Sequence, residues 1–167
     1  MNDVFLNLIL PPYLKQWLIN ATGGTEPIRF AKGSPYSSFL REFLRHKREC
    51  ESFTMWSPEC VRIVIPHFPG KDPEYYNYIS PKSSDAFVDM VRDFFDCELA
   101  RVVKSFDNIG RCKYNILTAW MENHGIEVDD RNTCAVLKRW QLIQSRISNN
   151  ERQKKFRGVA RKKGIVK

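Results

Sequence analysis

Between Phe87 and Val103 the apolar residues Phe87, Val88, Val91, Phe94, Phe95, Leu99, Val102 and Val103 recur at steps of three and four. That spacing gathers them on one side of a helix about five turns long. Asp85, Asp89, Asp93 and Arg92 are left to a solvated side. An apolar stripe of this length needs a cover, so the rest of the chain has to be laid along it. Ser83-Ser84-Asp85 supplies a cap at the start, and Asn108-Ile109-Gly110 supplies a break at the end.

The segments ahead of the helix are short. Val4 to Leu10 is apolar, compatible with a buried strand and stopped by Pro11-Pro12, after which Tyr13, Leu14, Trp17 and Leu18 mark a helix closed by Gly23-Gly24. Pro27-Ile28-Arg29-Phe30 reads as a strand, and Ser34-Pro35 starts a helix striped by Phe39, Leu40, Phe43 and Leu44. Cys60 to Ile65 is the strongest strand signal in the chain, ended by Pro66. Helices over 112–124 and 130–148 close the pattern. The expected class is α+β: a small three-stranded sheet covered by helices over residues 1–108, a helical pair over 109–150, and a tail over 151–167.

Of the 167 residues 43% are hydrophobic and 28% charged, the balance of a folded chain with one substantial core. Cys50, Cys60, Cys97, Cys112 and Cys134 are odd in number and widely spaced, which predicts reduced thiols, neither a disulfide framework nor a zinc ribbon, and a cytoplasmic setting. No signal peptide and no membrane span are expected. The net charge of +8 is unevenly spread, because residues 151–167 hold eight basic side chains against Glu151 and leave the first 150 residues at +1.

The helical pair carries the most specific local pattern. Leu117, Trp120 and Met121 form an apolar face, Gly125 sits where a helix ends in a left-handed residue, Ile126 and Val128 can plug the corner, and Asp129 or Asp130 can cap the next helix. On that helix Thr133, Val136, Leu137, Trp140, Ile143 and Ile147 share one side, while Arg131, Lys138 and Ser145 align on the other with Arg139 and Arg146 in an adjacent row. The pair resembles a helix-turn-helix, which implies a polar helix face offered to the major groove. Its connection from Gly125 to Asp129 is longer than that motif's usual three or four residues.

Leu10-Pro11-Pro12-Tyr13-Leu14-Lys15-Gln16-Trp17-Leu18, Tyr76-Asn77-Tyr78, and Ala119-Trp120-Met121-Glu122 with His124-Gly125-Ile126 give the chain a resemblance to small uncharacterised proteins of bacterial phages and other mobile elements. The resemblance implies a setting and no activity that transfers residue by residue. Separately, the tail cations Arg152, Lys154, Lys155, Arg157, Arg161, Lys162 and Lys163, with Arg131, Lys138, Arg139 and Arg146, form the expected nucleic-acid-binding set. Tyr75, Tyr76 and Tyr78 can cover the core edge or, as an alternative, stack unpaired bases.

No catalytic constellation, metal site or cofactor is expected. His46, His67 and His124 stand apart in the sequence, Cys50, Cys60 and His67 lack zinc-ligand spacing, and phosphate-loop, serine-hydrolase and zincin motifs are absent. The sequence therefore predicts a DNA-binding accessory or regulatory protein, with RNA as a second partner. The alternative is an interaction module that forms a homo-oligomer or partner interface through its C-terminal helices, to which Leu142 on the polar side of its helix points.

Overall fold

The computed structural model describes residues 3–106 and 113–162, with side chains through residue 154. Its elements run β1 (Phe5–Ile9), α1 (Pro12–Ala21), α2 (Pro35–Phe43), β2 (Cys60–Val64), α3 (Pro81–Phe106), α4 (Lys113–Asn123) and α5 (Asp130–Lys162). The mixed α+β class agrees with the sequence. Among the described residues no helix is long and apolar enough to cross a membrane.

The sheet is smaller than expected: β1 and β2 form an antiparallel ribbon with Phe5 opposite Val64 and Ile9 opposite Cys60. The third strand, Pro27 to Phe30, is reduced to one bridge in which Ile28 donates to the Arg62 carbonyl and accepts from the Val64 amide. Two local features limit it. Pro27 has no amide to donate, and the chain turns back where the Ser34 amide bonds the Ala31 carbonyl. β1 is half-buried rather than wholly buried, with Leu6 and Leu8 inward and Phe5 and Ile9 outward.

The long helix starts earlier than its sequence cap suggests. Ser80 caps it, its hydroxyl accepting from the Ser83 amide at 3.2 Å, and Pro81 occupies the first turn, where a missing amide is harmless. α2 begins as read, with the Ser34 hydroxyl accepting from the Ser37 amide. Phe87, Val91, Phe95, Leu99 and Val103 are the buried apolar residues of α3. Phe95 is the hub: its ring lies edge-on to Tyr13, Trp17 and Trp120 at 5.2, 5.6 and 5.4 Å, so α1, α3 and α4 meet on one side chain.

The helical pair belongs to this core. Leu117, Trp120 and Met121 of α4, Ile126, and Val136, Trp140 and Ile143 of α5 lie in the same buried cluster as Leu8, Ile63 and Phe87. α5 packs on α1, α3 and α4. The break expected at Asn108-Ile109-Gly110 lies outside the described residues.

Candidate nucleic-acid interface

The corner between α4 and α5 is built largely as its residues dictate. Gly125 has φ of 68°, its amide bonds the Glu122 carbonyl, and the Ile126 amide reaches back to Met121 at 2.9 Å, the paired bonds that end a helix in a left-handed residue. Ile126 fills the corner, but Val128 is exposed and does not share that role. Asp129 caps α5, its Oδ1 accepting from the Asn132 amide at 2.6 Å. Asn132 is buried and ties the corner to α1, since its Nδ2 donates to Gln16 Oε1 at 3.2 Å and to the Glu127 carbonyl at 3.1 Å.

Arg131, Lys138, Ser145 and Arg146 are exposed on the packed part of α5. Arg139 departs from the expected exposed face. Its guanidinium is half-buried and paired with Asp96 of α3, Nε donating to Oδ1 at 2.9 Å and Nη2 to Oδ2. The hydrogen bonds to Asp96 raise the Arg139 pKa above its ordinary value, and Tyr13 beside it is raised by burial. This cation fastens α5 to the core and is occupied. Helical spacing puts it one step from Lys138, and the 100° between adjacent residues carries it off the solvated row to the flank of the packed face.

The start of α5 has the wrong charge for a groove-reading helix. Such a helix presents its N-terminal residues to bases between phosphates, and here Glu127, Asp129 and Asp130 are all exposed at that end. Arg131 is exposed beside them, but most of the helix's cations lie toward the other end. α5 does not stop at 148 but runs on to Lys162, so the separate tail expected from 151 is, as far as 162, a continuation of the helix. Residues 148–154 are exposed on every side, including Arg152 and Lys154. Lys155, Arg157, Arg161 and Lys162 occupy the last turns of the helix, and Lys163 lies outside the described residues. At 1.5 Å per residue the 33-residue helix is about 50 Å long.

Two further groups of residues are separated in the sequence and joined by the fold. His124 stacks on Trp120 with ring centroids 4.3 Å apart, and its Nε2 lies 3.8 Å from the Glu98 carboxylate, which accepts from Trp17 Nε1 at 3.1 Å. This group joins α1, α3 and α4. The second is a set of cation and ring contacts around the β1–β2 ribbon: Arg62 against Phe5 and Trp56, Arg45 against Tyr78, Lys47 against Phe53, and Lys71 against Tyr76. Of the tyrosines in that region Tyr78 is buried, Tyr76 half-buried and Tyr75 exposed. Residues 5, 45–47, 53–56 and 62 share no linear motif, and only folding brings them together.

Comparison with protein-family models, curated proteins and solved structures returns no match for this chain.

Proposed function

We propose that this chain is a nucleic-acid-binding accessory or regulatory protein with duplex DNA as its first partner and the outer half of α5 as its electrostatic arm. The observation that carries the reading is the unbroken passage of α5 from a packed half into a basic one. Six basic residues against Glu151 fall between 148 and 162, on a rod whose inner half is fixed by Val136, Trp140, Ile143 and the Arg139–Asp96 pair. Cations at this density bind phosphates through counterion release, without needing to read bases. The phage and mobile-element resemblance supplies a setting for such a role.

Leu142, 48% exposed on the otherwise polar side of α5, favours a second reading as an oligomer or partner interface. One gel-shift series separates the two. Neutralising Lys154, Lys155, Lys162 and Lys163 weakens binding to every duplex alike and lowers the salt slope by about 0.9 for each phosphate no longer neutralised. A chain that shifts no duplex at low salt, and that sediments as a dimer made monomeric by Leu142→Glu, is an interaction module instead.

A further inference from the structure

We propose that the outer face of the β1–β2 ribbon, with the 53–56 segment laid across it, binds single-stranded nucleic acid. The site uses none of the residues of α5 and stands independently of the reading above.

The strand register creates the face. Leu6, Leu8, Val61 and Ile63 point into the core, so Phe5, Asn7 and Ile9 of β1 and Arg62 of β2 point away from it, with Asn7 directly opposite Arg62. The 53–56 segment is held over this face by Asn7 Nδ2 donating to the Thr54 carbonyl at 3.1 Å and by the Cys60 thiol at 3.6 Å from the Met55 carbonyl. It covers the face without burying its own rings. Phe53 is 48% exposed, Trp56 56% and Met55 82%, beside Phe5 at 43%. Large apolar side chains clustered in water mark a surface that something else covers.

The charges identify the occupant. Arg62 lies between two rings, its Cζ 5.3 Å from the Phe5 centroid and 5.6 Å from that of Trp56. Among the described residues its guanidinium has neither a carboxylate partner nor a hydrogen bond, whereas Arg45 nearby is neutralised by Glu51. Lys47 Nζ stands 5.6 Å above the Phe53 ring and donates only to the carbonyls of Arg48 and Glu51, so its charge too is free for an anion. Two cations without carboxylates, each seated on an exposed ring, match alternating phosphates and stacked bases. A neighbouring groove of about 430 Å³ is lined by Phe5, Asn7, Phe53, Trp56 and Tyr78, room for a base against these rings.

The full chain carries its own probe. Of its four tryptophans, Trp17, Trp120 and Trp140 are buried and Trp56 is exposed, so quenching by an added oligo(dT) or oligo(U) reports on Trp56. The expected result is saturable quenching that disappears in Trp56→Phe while affinity, read by anisotropy of a labelled oligonucleotide, stays within about 3-fold. Trp56→Ala weakens binding by about 5- to 150-fold, the worth of one stacked base. Arg62→Gln weakens it and lowers the single-strand salt slope by about 0.7. Neutralising Lys154, Lys155, Lys162 and Lys163 leaves the quenching in place. Oligonucleotide binding without quenching, or with unchanged affinity in both Trp56→Ala and Arg62→Gln, overturns the proposal and leaves the α5 reading untouched. The melting temperatures of both variants confirm that the folded chain is being compared.

Discussion

From Asp130 to Ile147, α5 is held by what it buries; from 148 to 154 it is surrounded by solvent. The inner half places Val136, Trp140 and Ile143 in the core and commits one of its arginines to Asp96. In the outer half residues 148–154 are polar or charged and all exposed. A solvated polar helix gains little from intrinsic propensity alone, so continuity with a packed helix is what supports it. Propagation adds a hydrogen bond for each residue fixed, whereas nucleation of an isolated basic helix would fix several residues for the first bond. The difference teaches that one element can divide stability and charge display along its length, and that a cation's role follows from which half it occupies.

The division can be broken most forcefully at Trp140. Trp140→Ala should lower stability by about 3–5 kcal/mol, the range for emptying a large buried ring site, and denaturant unfolding reads it directly. Trp140→Phe should be far milder, because it keeps most of the buried ring and removes an indole N–H that is buried without an acceptor among the described residues. Next comes the ion pair. Arg139→Ala strands the Asp96 carboxylate, whose side chain is only 11% exposed, and should lower stability by about 2–3 kcal/mol, below the fully buried case because some solvent reaches the pair. Replacing both partners together by Leu should recover part of the loss. If either single change alters duplex affinity while stability is unchanged, the inner half is not merely an anchor.

The parts of this architecture that are legible in the sequence are the ones carried by neighbours along the chain. The α3 stripe, the Ser34-Pro35 start of α2 and the Gly125 and Asp129 corner each depend on residues within a few positions, and each forms, except that Phe94 of the expected stripe is turned outward and exposed. Sequence misplaces the α3 cap because Ser80-Pro81 and Ser83-Ser84-Asp85 are both competent starts, and only the structure chooses the earlier. It overstates the third strand because hydrophobic pattern does not reveal how few residues a following turn leaves for pairing. It misplaces Arg139 because the carboxylate partner is 43 residues away. The cationic face of the ribbon is invisible for the same reason. Tyr75, Tyr76 and Tyr78 have only Lys71 and Lys82 near them in sequence, while Arg45, Lys47 and Arg62 arrive from other segments.

A smaller effect is expected at the corner that sets where α5 points. Gly125 is required twice: its φ of 68° is unfavourable for any side chain, and a Cβ there would lie 2.6 Å from Asn20 Nδ2 and 2.9 Å from Asn20 Cβ on α1. Gly125→Ala should lower stability by about 2 kcal/mol, measured by urea unfolding. Adding Asn20→Ala should return only part of it, since the Cβ of residue 20 and the backbone strain both remain.

The smallest expected effect on stability is the one that defines the outer half. Replacing Lys154, Lys155, Lys162 and Lys163 by Gln keeps residues of similar helix propensity and removes four like charges from a segment with one acid, Glu151. Relief of repulsion and loss of charge solvation act in opposite directions, so unfolding stability should move by no more than about 0.5 kcal/mol. Duplex binding should nevertheless weaken in proportion to the charge removed, with a flatter salt dependence, and Trp56 quenching by single strands should persist. A drop of several degrees in melting temperature would instead mean that the outer half of α5 rests on the body. In that case the contrast between its two halves would be one of sequence only, and the arm would have to be sought elsewhere.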